Sequence, residues 1–219
     1  MFTNILVYEN ALADEHPALQ RAIQLASDAK AELKIIDVVQ DESNHPDDRR
    51  RKMRSLVEQE RDDRLDLICQ PLRELDIPFT VELLRGRPFA EIVREVVHEN
   101  FDLVIKATSL ATPNEVTGVM GPVDMRIVRN CPCPVWLEAR HPPGTSGALR
   151  CKDVLVAIDP QAVLDDLNRS LLKTAMDLAK ASDAVLHVIA AWEVLDEDLL
   201  KQKTSLEKLT KYTTHLRSS

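Results

Sequence analysis

The chain has 219 residues, of which 44% are hydrophobic and 29% are charged, and its formal net charge is −8. This composition is ordinary for a soluble globular protein, and the negative charge argues against nucleic-acid binding, which usually needs clustered Lys and Arg. No apolar stretch reaches the ~20 residues of a membrane span, and the amino terminus lacks the basic and apolar regions of a signal peptide. We therefore expect a cytoplasmic protein with neither a nucleic-acid nor a membrane partner.

Short apolar runs alternate with helical periods over the first two thirds of the chain. Five runs predict strands: Ile5–Val7, Leu33–Val39, Pro78–Leu84, Asp102–Ala107 and Pro134–Glu138. Helices are predicted to begin at Pro17, near Asp47, at Pro88 and at Gly121. Parallel strands are joined by crossovers that are usually helical, so the alternation predicts an α/β fold: a five-stranded parallel open sheet with helices on both faces.

The second of these helices is predicted to be long, from about Asp47 to about Leu75. Its predicted inner side consists of Met53, Leu56, Val57, Leu65, Ile68 and Leu72. The polar segments 41–48 and 108–120 are predicted to be loops.

An internal repeat indicates a second unit. Residues 19–36 and 172–189 are identical at seven positions, and each copy follows a short apolar run. Self-similarity at this spacing predicts a repeated strand, helix, strand motif. We therefore predict a complete domain at 1–139, a linker at 140–150 rich in Pro and Gly, and a partial second copy at 151–219. The second copy lacks the fourth strand, which would normally pair with one edge of its first strand. We therefore expect it to be covered by the first domain or by a second chain, or to be partly molten.

Four cysteines do not indicate a disulfide framework in a chain of this size. Cys131-Pro-Cys133 could belong to a metal or redox site. A C-x-C pair supplies only two of the four ligands of tetrahedral zinc, so we favour small residues that precede a buried strand, and we expect no metal site.

Two segments carry a family resemblance. Asp102–Ala107 and, after a loop, Gly121–Trp136 resemble the C-terminal half of a universal stress protein domain, which closes with a Cys-Pro-Val strand. The resemblance covers residues 1–138 as a whole domain and residues 151 to about 200 as half of another. In detail the chain looks most similar to the tandem, E-type members, whose first domain has an altered loop and a lysine near the end of strand four.

This resemblance implies a nucleotide motif that the chain departs from. The family's motif is Gly-x-x-Gly, nine residues, then Gly followed by Ser or Thr. Ala107 and Leu110 replace the first two glycines, and the spacer 111–120 has ten residues. Gly121 matches the third glycine, but Pro122 replaces the Ser or Thr and removes a backbone donor. The resemblance therefore implies a member that does not bind ATP.

Three further residues are candidates for a degenerate nucleotide cleft. Glu9 falls about where many members place an Asp that contacts the nucleoside, and Lys106 is expected opposite it at the carboxyl ends of strands one and four. Lys106 could hold a small anionic ligand, but we favour a salt bridge between Glu9 and Lys106 that fills the cleft. Asp159 matches the family's strand-one Asp in the second unit, but we favour a role at the start of a turn before Pro160.

The expected function follows from these departures. We expect a non-catalytic stress-response protein that acts through protein association. Family members often pair through their last strands, so the resemblance implies Pro134–Glu138 as the edge for a homodimer or another protein partner. The alternative is an ATP-binding, slowly hydrolysing switch. Enzymatic activity is not indicated, because the sequence contains neither a nucleophile elbow nor a P-loop.

Overall fold

The computed structural model describes residues 2–40, 48–108, 120–139, 151–159 and 165–190. Two compact units make up the chain, Met1–Ala148 and Leu149–Ser219. Most of the two predicted loops, the linker, and the chain after residue 190 lie outside the described residues.

The first unit is the predicted α/β sheet. Its strands are β1 (Asn4–Tyr8), β2 (Glu32–Val39), β3 (Phe79–Arg85), β4 (Leu103–Ala107) and β5 (Val135–Glu138). Its helices are α1 (Pro17–Ala29), α2 (Asp48–Ile68), α3 (Gln70–Glu74), α4 (Pro88–Glu99) and α5 (Pro122–Asn130). The strands form one parallel sheet in the order β3-β2-β1-β4-β5, so the predicted fold class is confirmed.

Each face of the sheet carries its own apolar core, and β1 contributes to both. Ile5 and Val7 pack with the apolar stripe of α1, whereas Leu6 packs on the opposite face with Ile92 of α4 and Ile127 of α5. Ile5, Leu6 and Val7 are all fully buried. Burial on both faces explains why this strand is a continuous apolar run rather than an alternating one.

The predicted long second helix is interrupted. It ends at Ile68 and a short helix, α3, begins at Gln70. The physical reason is Pro71, which has no N–H to continue the helical ladder and whose ring crowds the preceding turn. The predicted inner face was also wrong at its start, because Met53 and Leu56 are 64% and 62% exposed.

The second unit contains a strand, helix, strand motif within the described residues. Its elements are β6 (Asp153–Ile158), α6 (Asp166–Ser182) and β7 (Val185–Ala190), and the two strands pair in parallel. The Asp165 carboxylate accepts a hydrogen bond from the Asn168 N–H at 2.7 Å and caps α6. The assignment of this unit as a partial second copy, and its covering by another surface, remain predictions.

Candidate functional site

The order of the strands creates a crevice at one edge of the first unit. Strand β1 is flanked by β2 on one side and β4 on the other, so the chain changes direction across the sheet at this point. Ligands of open α/β sheets bind beyond the carboxyl ends of the strands at such a point. Tyr8 and Lys106 are register partners there.

A buried ion pair occupies this crevice. The Lys106 Nζ lies 2.7 Å from Asp124 Oδ1 and donates a second hydrogen bond, also of 2.7 Å, to the Ala107 carbonyl. The two side chains are only 7% and 0% exposed. The Lys106 ammonium also lies 5.6 Å from the centre of the Tyr8 ring. Lysine and aspartate thus neutralise each other away from water.

Asp124 belongs to the first turn of α5, which follows Gly121. Gly121 is the residue before the helix and makes no side-chain cap, and Pro122 occupies the first helical position. The amino end of a helix is a favourable place for negative charge. Here that place is held by a carboxylate of the protein itself.

Glu9 serves a different helix. Its Oε1 accepts a 2.7 Å hydrogen bond from the Leu19 N–H in the first turn of α1, and its Oε2 lies 3.2 Å from His16 Nδ1. His16 precedes α1 but makes no side-chain cap. The Glu9 carboxylate, which is 3% exposed, therefore caps the amino end of α1, although Glu9 precedes that helix by several residues.

The predicted Glu9–Lys106 salt bridge is wrong, although both residues lie at the carboxyl ends of neighbouring strands as expected. Successive side chains of a strand point to opposite faces of the sheet. Tyr8 and Lys106 share the face of α5, whereas Glu9 follows Tyr8 and contacts α1 on the other face. The two charges are therefore separated by the sheet.

The structure adds a polar cluster that sequence reasoning missed. Asp37, at the end of β2, is fully buried and accepts hydrogen bonds from the Ala11 N–H and from Arg61 of α2. Arg61 also reaches the Asn10 side chain. Burial, and then the negative charge of Asp37, raises the pKa of the Tyr8 phenol to about 12, so the phenol is neutral at physiological pH.

Two further residues concern the predicted cleft: Thr108, which follows β4, and Asp159, which was predicted as a site residue. The buried Thr108 hydroxyl, just after β4, has no hydrogen-bond partner among the described residues. Asp159 lies in the second unit, where its backbone N–H and C=O both bond the Asn168 side chain. That arrangement holds the end of β6. The turn role and the ligand role of the Asp159 side chain both stay predictions, because residues 160–164 lie outside the described residues.

The part of the chain that the structure describes contains no group of three or more residues that could bind a metal ion. None of its described helices is long and apolar enough to cross a membrane.

Comparison with known proteins identifies the family. Residues 1–137 match the model of the universal stress protein family. The chain belongs to the universal stress protein family. It is 26% identical over 201 residues to Universal stress protein E of Escherichia coli (strain K12), and 27% identical over 201 residues to the protein of that name from Salmonella typhi. Each alignment covers 89% of this chain but only 63% of the relative.

Solved structures agree on the fold. A universal stress protein from Archaeoglobus fulgidus superposes with a TM-score of 0.64 at 18% identity, covering 91% of this chain and 71% of that one. Universal stress protein UspA from Lactobacillus plantarum gives a TM-score of 0.52 at 22% identity, covering 63% of this chain and 97% of that one.

Among the described residues, two features at the start of α5 bear on whether the crevice could hold a triphosphate. A phosphate at the amino end of α5 would meet the Asp124 carboxylate, and the nearby cation, Lys106, already pairs with that carboxylate. Pro122 offers no N–H at the position where the family's Ser or Thr would donate.

Proposed function

We propose that this chain is a non-catalytic stress-response protein that acts by associating with other proteins, and that its first domain contains a degenerate nucleotide cleft. The observation that carries the proposal is the buried Lys106–Asp124 pair at the start of α5. We also propose the domain division 1–139, linker 140–150 and a second domain within 151–219. All four cysteines are free thiols, which fits a reducing cytoplasm.

The electrostatic argument concerns what a triphosphate would have to displace. Entry of phosphate would bring negative charge against Asp124, whose side chain is fully buried. Taking Lys106 away from Asp124 would break a buried ion pair, which costs about 3–5 kcal/mol. The Asp124 carboxylate thus already binds Lys106, and a phosphate would have to compete with it for that cation.

Association is proposed at β5, which is the last strand of the sheet. The Val104 N–H bonds the Pro134 carbonyl, and the Thr108 N–H bonds the Glu138 carbonyl. Backbone groups of alternate residues point to opposite sides of a strand, so those of Val135 and Leu137 point away from β4. A strand with such an outward row of donors and acceptors is a template for pairing with another chain.

Side chains hold this edge in place. Arg21 of α1 binds the Glu138 carboxylate through two nitrogens, at 2.8 and 3.2 Å, and its guanidinium lies 5.2 Å from the centre of the Trp136 ring. The Trp136 Nε1–H donates to the same carboxylate at 2.8 Å. An ordered edge loses less conformational entropy when a partner strand adds to it.

Calorimetric titration of the full chain with MgATP tests the cleft. We expect no measurable binding by the wild-type protein. Asp124→Asn removes the competing charge and leaves Lys106 able to pair with a phosphate, so we expect its binding of MgATP to be measurable. Its affinity should exceed the upper limit set by the wild type by at least about tenfold, or about 1.4 kcal/mol. Asp28→Asn, on the exposed side of α1, changes the net charge equally and serves as the control.

The alternative function has a distinct outcome in the same titration. An ATP-binding switch requires tight binding by the wild-type chain that Lys106→Ala weakens. A small anion held by Lys106 instead of ATP would be revealed by titration with inorganic phosphate, again with loss in Lys106→Ala.

The proposed association edge is tested by light scattering at several concentrations. Leu137→Pro removes an N–H that faces away from β4, so we expect it to abolish pairing with a second chain while leaving the sheet intact. Leu137→Ala keeps that N–H and is the matched control. A dimer of unchanged affinity in Leu137→Pro, or a monomer at every concentration in the wild type, would contradict the use of this edge for self-association.

A further inference from the structure

Two thiols lie in contact between α5 and β5. The sulfur atoms of Cys131 and Cys133 are 3.6 Å apart. Both side chains are partly exposed at the margin of the core that includes Ile127, whereas Cys69 is fully buried. Both cysteines precede β5 and pack against this core, as expected of small residues before a strand. Packing alone does not explain why the two sulfurs lie within hydrogen-bond distance of each other.

The contact makes one thiol easier to ionise and the other harder. A hydrogen bond from the Cys133 thiol stabilises the Cys131 thiolate and lowers the pKa of Cys131 to about 7, despite the opposing effect of burial. The same hydrogen bond, together with burial and the adjacent thiolate charge, raises the pKa of Cys133. Cys131 therefore ionises more readily than an ordinary thiol, and the thiolate is the reactive form of cysteine.

We propose that Cys131 and Cys133 form an oxidisable dithiol that reduces hydroperoxides and closes into a reversible disulfide. The Cys131 thiolate attacks a peroxide oxygen, the O–O bond breaks, and the leaving hydroxide or alkoxide takes up a proton. Cys131 is then a sulfenic acid. The Cys133 sulfur attacks the Cys131 sulfur, the S–O bond breaks, and the hydroxyl leaves as water with the Cys133 proton. The peroxide has gained two electrons, and the two thiols have lost them.

The local backbone makes this disulfide closable and easily reduced. A bond requires the sulfurs to approach from 3.6 Å to about 2.05 Å, which rotation of the two side chains can provide. The backbone on either side is held, because the Cys131 N–H bonds the Ile127 carbonyl and the Pro134 carbonyl accepts from the Val104 N–H. The ring that this disulfide would close spans only Pro132, and any strain that the short ring imposes would favour its reduction.

A redox role suits the pair better than a metal role. Zinc sites of structural type need four protein ligands, and no third ligand accompanies these two among the described residues. The redox proposal is independent of the proposed nucleotide cleft, since it uses neither Lys106 nor Asp124.

The test is oxidation of the reduced full chain by one equivalent of hydrogen peroxide, followed by peptide mapping. We expect a Cys131–Cys133 disulfide that dithiothreitol reverses. In Cys133→Ser, dimedone should trap a sulfenic acid at Cys131, whereas Cys131→Ser should react at least tenfold more slowly. Cys151→Ser is the matched control and should behave as wild type. In the unmutated protein, the rate of iodoacetamide alkylation at Cys131 should rise with pH around a midpoint near 7.

Three results would overturn the proposal. One is oxidation of Cys131 no faster than that of Cys151. Another is a disulfide formed mainly between two chains. The third is an alkylation midpoint at Cys131 no lower than that of an ordinary thiol, which titrates at about 8.5.

Discussion

Removing either partner of the Lys106–Asp124 pair should destabilise the first unit far more than removing both. Asp124→Leu leaves a buried ammonium and Lys106→Met leaves a fully buried carboxylate, so we expect each to cost about 3–5 kcal/mol. The double variant replaces a buried pair with apolar side chains of comparable size, which is often close to neutral. The coupling is the sum of the two single costs less the near-zero cost of the double variant, so we expect about 6 kcal/mol or more.

Urea unfolding measures this coupling. The chain has two tryptophans, so a Trp192→Phe background leaves Trp136 of β5 as the only tryptophan, and its fluorescence reports on the first unit. The control is the exposed pair Arg73–Asp66, whose side chains are 52% and 71% exposed. We expect the control cycle to give no more than about 0.5 kcal/mol. A Lys106–Asp124 coupling as small as that of the control pair would refute the burial argument.

Three further predictions concern backbone strain, capping and titration. Gly86 adopts a φ of +147°, and a Cβ there would collide with the Glu91 carboxylate, so Gly86→Ala should cost about 1–3 kcal/mol in urea unfolding. Asp165→Ala removes the hydrogen bond to the Asn168 N–H and should lower hydrogen-exchange protection of α6 by about 1 kcal/mol. Folding raises the pKa of Tyr8 to about 12, so its contribution to stability is present below about pH 10 and lost as the pH rises towards 12. Tyr8→Phe should abolish that alkaline loss, and an unchanged pH profile would contradict the assignment.

The sequence was a good guide to the sheet because its central strands are buried on both faces. A residue such as Leu6, which is packed under α4 and α5, has to be apolar, and so do its neighbours Ile5 and Val7 under α1. Such runs are visible without knowledge of the partners. The helices α4 and α5 were equally visible, since Pro88 and Pro122 each occupy an early helical position.

Helix α2 was predicted less well, both in where it ends and in which of its residues are buried. Pro71 is visible in the sequence as a helix-breaking residue, and it predicts the end of α2 close to Ile68. The exposure of Met53 and Leu56 was not readable, because a helical period shows which residues share a face but not whether another element covers it.

The sequence predicted where Glu9 and Lys106 lie, but it did not predict which charged residues pair with them. Glu9 and Lys106 do lie at adjacent strand ends, and alternation along β1 and β4 could have assigned them to opposite faces had the register been known. Asp124 was missed because an acidic residue in a first helical turn usually needs no explanation beyond the helix dipole. Asp37 was missed although an acidic residue inside an apolar strand is itself a signal of a buried partner.

Native mass spectrometry of the full chain, purified without added nucleotide and then sprayed with an equimolar amount of ATP, tests the central claim most directly. The account predicts that the chain carries no bound nucleotide and forms no more ATP adduct than Lys106→Ala does. A stoichiometric ATP complex in the wild type that disappears in Lys106→Ala would show that the cleft still grips phosphate, and it would contradict the account.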